Sequence, residues 1–425
     1  MKLKVLTMVV AAGLGFAAGA VGVENVSATQ RWPWNNLVDV DYEITGAADG
    51  DEFVVELTAT SAGGAKTYKA STYRNDPIGL PGQNRLTWDL GADYPEMKAD
   101  DFEITVSAKP FVNSATEGVY LVIDLSSGAS SAKYPVRYTT VPPVHSKNAP
   151  DVCKTTEMWM KRVKKGSYPF WGTDTNHGTG IYTVRLTKDL YAGLFECTQQ
   201  QWFQVTGKWP AKFSNETWRA TRPVESINQG DTIGTTDYPT YGVQKSSFVG
   251  KVRQRTGLKT FNLPTEGQWE YVCRAGRTQS SIVPAGKTLD DIARYWHGEV
   301  DNVSDYSIGP EEHGTACVGS FLPNNWGFYD VCGNVSESAL DAGISNEQLQ
   351  LFHAAEIEAT GYVTDPQSPP NRPGSGDIYA EHFYWHVYRG GGYDNSASRC
   401  SPYDRLYPDS QTAPHLGARF YVTCE

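Results

Sequence analysis

The sequence predicts a two-part chain, an all-β sandwich followed by a larger, loop-rich α+β domain. Three observations carry this. Between about residues 32 and 110, short runs of alternating apolar and polar residues are separated by Gly, Asn, Asp and Pro turns, which is strand patterning at all-β spacing. After Cys153 tryptophan, tyrosine and glycine become dense while long helical patterns are few. A length of 425 residues exceeds one ordinary core and suggests roughly two or three domains.

Taken in order, Met1-Lys2-Leu3-Lys4 precedes an apolar, Ala/Gly-rich run from Val5 to Val21, with small residues at Ala18 and Ala20. This reads as a secretory signal peptide over residues 1–20. No later segment holds about 18 uninterrupted apolar residues, so no transmembrane segment is expected after cleavage, and the mature chain is expected to be secreted, periplasmic or at the cell surface. Residues 25–110 form the sandwich, of immunoglobulin or fibronectin type. Its strands include Val38–Ile44, Phe53–Leu57, Leu86–Leu90 and Phe102–Ser107. Residues 111–152 supply a hairpin, from the apolar runs Tyr120–Leu125 and Tyr134–Tyr138, and a Pro-rich linker at 141–150. Residues 153–425 form the second domain. Helices are expected at Thr198–Val205, at Thr265–Ala275, where Thr265 can cap the first turn, and around Asn346–Glu358.

Composition excludes several classes. A net charge of −11 argues against a nucleic-acid partner, since binding to phosphates needs Lys and Arg. Seven cysteines in an exported chain allow up to three disulfides, and the absence of any Cys-x-x-Cys removes zinc-ribbon and thioredoxin-type sites. No Gly-x-Ser-x-Gly elbow or phosphate-binding Gly loop is present. The chain looks bacterial, so its Asn-x-Ser/Thr sequons carry no glycosylation reading. His382 and His386, four apart, have no third ligand nearby and read as aromatic-rich packing or surface residues.

The stretch Pro323–Glu337 carries a possible ion site. Asp330 and Glu337 bracket a Gly333-Asn334 turn, so two carboxylates and several backbone carbonyls can converge, the oxygen donor set that calcium prefers. The same residue types are also ordinary turn formers.

Four ordered segments resemble the sulfatase-modifying-factor family, also called formylglycine-generating-enzyme-like. They are Tyr191–Gln199, Leu263–Gly276 (Leu-Pro-Thr-Glu-Gly-Gln-Trp-Glu-Tyr-Val-Cys-Arg-Ala-Gly), Asn325–Val335, and Arg389-Gly390-Gly391 with Gly417–Phe420. The resemblance implies an irregular, loop-rich fold related to the C-type lectins. It implies a structural calcium at positions matching Asp330, Gly333, Val335 and Glu337, the glycine and valine through their carbonyls. It also implies copper(I) held between two cysteines near the C-terminus, which oxidises a substrate cysteine with dioxygen; soft thiolates select copper(I). Cys400 stands at the second of these positions and Asn395 at the first. Gly392 replaces the usual serine, Ser336 and Ser338 replace two tryptophans, and Gly417-Ala418-Arg419 replaces Gly-Phe-Arg.

Two functions follow as expectations. The first is a catalytically degenerate, calcium-stabilised binding or surface module, a pseudoenzyme whose C-terminal loop takes a protein, peptide or glycan. Tyr393, Asp394, Asn395, Arg399, Tyr403, Asp404, Arg405 and Tyr407 would form the surface, a mix of aromatic and adaptable polar groups. The alternative is a copper-dependent formylglycine-generating oxidase acting on a protein cysteine, with Cys400 as its catalytic residue.

Overall fold

A computed structural model describes residues 2–5, 21–31, 36–61, 63–97, 101–170, 182–234, 242–277, 281–298, 306–311, 313–367, 386–407 and 412–425. The apolar run at 6–20 and His382 lie outside them. The chain divides into two compact units, residues 1–122 with 136–142, and residues 123–135 with 143–425.

The first unit is built from β1 (Gly22–Gln30), β2 (Leu37–Thr45), β3 (Phe53–Ser61), β4 (Lys66–Lys69), β5 (Gly82–Asp89) and β6 (Asp101–Pro110). β1, β2 and β5 pair antiparallel in one sheet; β6, β3 and β4 do so in another. The alternation read from sequence sets the faces, because successive side chains of a strand point to opposite sides. Val38, Val40, Tyr42 and Ile44 of β2 are buried and the intervening residues are not. They share one apolar core with Phe53, Val55 and Leu57 of β3 and Phe102, Ile104 and Val106 of β6. Strand β1 begins three residues before the sandwich boundary read from sequence.

In the second unit the elements are short and loops carry much of the chain. Its strands include β7 (Glu157–Val163), β8 (Gly166–Phe170), β9 (Tyr182–Leu186), β10 (Leu190–Gly193), β11 (Ser336–Ala342), β12 (Tyr362–Thr364), β13 (His386–Arg389), β14 (Arg405–Leu406), β15 (Leu416–Gly417) and β16 (Tyr421–Thr423). β7, β10 and β16 lie side by side, β8, β9 and β12 form a second group, and β14, β13, β11 and β15 a third.

Among the described residues four helices of eight or more residues join them: α1 (Gln199–Thr206), α2 (Phe248–Thr256), α3 (Glu266–Arg274) and α4 (Asn346–Thr360). The cap expected at Thr265 is in place, and two further helices are capped in the same way. Thr198, Thr265 and Ser345 each close a capping box with a glutamine three residues on, satisfying backbone N–H groups that a helix end leaves free. Helix α2 was not expected from sequence. Gly250 weakens its intrinsic propensity, yet a side chain there would strike the backbone of Gln244, so close packing requires the glycine.

Candidate functional site

The segments singled out in the sequence meet inside the second unit through buried charge. Glu266 and Glu270 are one helical turn apart on α3 and share a face. Arg389 from β13 donates to Glu270 at 2.7 Å and to Glu266 at 3.2 Å. Arg405 from β14 grips both oxygens of Glu266, at 2.8 and 2.7 Å. Arg274 completes Glu270 at 2.7 Å. Trp269, on the next face of α3, donates its indole N–H to Glu337 at 2.7 Å. Arg419 binds the same carboxylate through Nε and Nη2, at 2.9 and 2.7 Å, and also donates to the carbonyls of Gly193, Tyr329 and Asp330. All these charges are buried and each has its counter-charge, the only arrangement in which burying them is affordable.

The loop from Asp330 to Glu337 leans on this frame. Asp330, Gly333 and Asn334 all take left-handed backbone angles, φ 52°, 81° and 61°. At Gly333 this is compulsory, since a Cβ would collide with the Arg294 carbonyl. Asp330 Oδ2 accepts from the Gly319 N–H at 2.6 Å, whereas Oδ1 is buried with no hydrogen-bond partner among the described residues. Burial pushes the Asp330 carboxyl up to about 6. Beside it Glu196 is fully buried, accepting from Asn334 Nδ2 at 2.6 Å and Val335 N at 3.0 Å. Burial, and then the charges of Asp330 and Glu337, push its carboxyl far above the usual range.

This oxygen set fits a hard cation in part. Asp330 offers an uncommitted buried oxygen, while Glu337 is already neutralised by Arg419. Among the described residues no three His, Cys, Asp or Glu side chains are grouped to hold a metal, so an ion here would draw on the carbonyls of Gly333 and Val335 as well.

The C-terminal loop differs from its expected form. Tyr393 and Arg405, taken from sequence as surface residues, are buried. Tyr393 packs edge-on against Phe213 and Arg405 belongs to the charge frame. Tyr407 donates its hydroxyl to the Ile344 carbonyl. Asp394, Asn395, Tyr403 and Asp404 are half-buried and Arg399 is exposed. Arg399 approaches Asp404 at 3.4 Å, and Asp394 pairs with His415 at 2.8 Å.

Cys400 is buried, and burial pushes its thiol up to about 12, against the thiolate that metal binding needs. Asn395 accepts from Gly392 N at 3.0 Å and donates to Asp394 at 3.2 Å. Cys273 Sγ lies 3.8 Å from Cys332 Sγ, and both are buried free thiols. His386 is likewise a packing residue, buried on β13.

Glu196, Asn334, His415 and Arg419 were not singled out as site residues. All but His415 lie within the resembling segments, where acids and arginines far apart in sequence were the available signal.

Residues 169–423 match the family described as sulfatase-modifying factor enzyme 1-like domain. Chaperone protein LppX of Paenibacillus barcinonensis is 30% identical over 175 residues, covering 35% of this chain and 61% of its own length. Formylglycine-generating enzymes of Mus musculus and Thermomonospora curvata are each 32% identical, over 164 and 146 residues. The matches cover 37% and 33% of this chain, and 38% and 44% of those enzymes. The chain thus spans less than two thirds of each of these relatives. Among solved structures, Treponema denticola variable protein 1 aligns with a TM-score of 0.45 at 20% identity, covering 63% of this chain and 95% of that one. PvdO from Pseudomonas aeruginosa aligns at 0.43 and 16%, covering 67% and 100%.

Proposed function

Because the chain belongs to the sulfatase-modifying factor enzyme 1-like domain family, we propose that it uses that family's scaffold as an exported binding module and does not make formylglycine. One observation carries this reading. The position matching the first copper cysteine is Asn395, an amide whose side chain is spent on Gly392 and Asp394. An amide oxygen is a poor ligand for a soft ion, and two thiolates are needed for linear copper(I).

The half-buried and exposed part of the C-terminal loop, Asp394, Asn395, Arg399, Tyr403, Asp404 and Tyr407, offers polar and aromatic groups to a protein, peptide or glycan. Calcium at Asp330, Glu337 and the carbonyls of Gly333 and Val335 would supply fixed positive charge to a loop crowded with buried carboxylates. The apolar run Val5–Val21 supports export. No described helix is long and apolar enough to cross a membrane. Family membership alone does not demand oxidation, since a relative named as a chaperone stands beside the named enzymes.

The alternative is a copper-dependent oxidase of a protein cysteine, favoured by the retained Cys400 and by the names of the enzyme relatives. Anaerobic copper(I) titration of the reduced full-length protein separates the two, with Cys400→Ser and Cys332→Ser alongside. The expected result is no tight stoichiometric site that depends on Cys400. A site lost in Cys400→Ser but kept in Cys332→Ser would instead establish the oxidase reading.

A further inference from the structure

Arg222 is the exception to the pairing that governs the other fully buried arginines. Arg274, Arg389 and Arg419 each meet a carboxylate oxygen at 2.7 Å. Arg222 is 0% exposed, yet none of Nε, Nη1 and Nη2 has a hydrogen-bond partner among the described residues. Its guanidinium lies over the Phe213 ring, 4.9 Å from the centroid. The acidic groups within electrostatic reach are the Cys317 thiol, Glu225 and the Tyr393 hydroxyl, and both oxygens of the one carboxylate among them are engaged, one by the Phe213 N–H at 2.9 Å and the other by the Ser226 hydroxyl at 2.6 Å.

Other unmet donors gather at the same place. Arg294 contributes a second positive charge felt by Arg222; it donates through Nη2 to the Pro310 carbonyl and feels the charge of Glu311, while its Nε is buried without a partner among the described residues. The Thr315 hydroxyl is wholly buried and also unpartnered. Its segment is held beside Arg222 by the bond from Val318 N to the Thr221 carbonyl, 2.8 Å, and neighbouring Gly314 abuts the Phe213 ring. Tyr393 closes the aromatic side, with its ring 5.4 Å from that of Phe213. A buried guanidinium with no hydrogen-bonded counter-charge costs several kcal/mol, so donors left unmet among the described residues in one place suit an added acceptor.

We infer that Arg222, Arg294 and Thr315 form a built-in site for a small monovalent anion, a carboxylate group or chloride. The planar fork of Arg222 suits a carboxylate in two-point contact, and the Thr315 hydroxyl supplies a further donor.

The test is thermal unfolding of the full chain titrated with sodium formate, sodium chloride or N-acetylglycine, with ionic strength held by the bulky sulfonate buffer MOPS. A saturable rise in Tm with formate or chloride is expected, and a rise with N-acetylglycine as well would identify a peptide terminus as the carboxylate source. Arg222→Met should remove the saturable rise while folding at least as well as the parent without anion, since an apolar side chain of similar length strands no charge. Thr315→Val should weaken half-saturation by roughly tenfold. The site does not exist if the parent shows no saturable rise, or if Arg222→Met shows the same one.

Discussion

His386 lies buried on β13, and loss of water around the ring lowers its pKa from 6.5 to about 4. The folded value is below the unfolded one, so between pH 6.5 and 4 the unfolded chain binds the extra proton and stability is lost as pH falls. The loss from this group is about 3 kcal/mol across the window. Glu225 works in the opposite sense. Burial raises its carboxyl to about 7, so the folded chain holds the extra proton above pH 4.5 and stability falls as pH rises through 7. Urea midpoints between pH 4 and 7 should therefore fall less steeply on the acid side in His386→Phe than in the parent; parallel curves would show that His386 does not titrate with folding. From sequence His386 could be read only as packing or surface, because burial is set by residues that pack over it from elsewhere.

Helix α3 owes its place to carboxylates rather than to apolar surface alone. Its start was legible, because Thr265 and Gln268 form a local capping box. Its docking was not, because Glu266 and Glu270 find Arg389 and Arg405 more than a hundred residues away. Glu270→Leu would take from Arg274 and Arg389 the carboxylate they share, leaving Arg389 only its longer contact with Glu266 among its ion pairs, and should cost about 3 kcal/mol, seen as a lower urea midpoint at unchanged m. Adding Arg389→Met should recover part of that loss, since removing both charges is far cheaper than removing one. Equal midpoints for the single and double variants would mean that the two side chains do not act as a pair. Helix α2 was hidden by the opposite circumstance, a glycine demanded by close packing that reads locally as a helix breaker.

For the whole chain, the proposed calcium makes stability depend on a free divalent ion. Chelation with EGTA is expected to lower Tm by about 5 °C or more, and Asp330→Asn should abolish the difference; a Tm unmoved by EGTA and by added calcium would remove calcium from the account. The sequence by itself determined the family, through four ordered segments, and the strand faces and helix caps, because alternation and capping act over a few residues. Asn395, at the position that the resemblance assigns to the first copper cysteine, is likewise a matter of residue identity and underlies the proposal made above. Only the tertiary structure decided which charges neutralise which, that Tyr393 and Arg405 belong to the interior, that Cys273 faces Cys332, and that the Arg222 guanidinium has no hydrogen-bond partner among the described residues. The reason is physical: charge, burial and thiol contact are properties of neighbours in space, and here those neighbours are brought together by loops whose course no local pattern encodes.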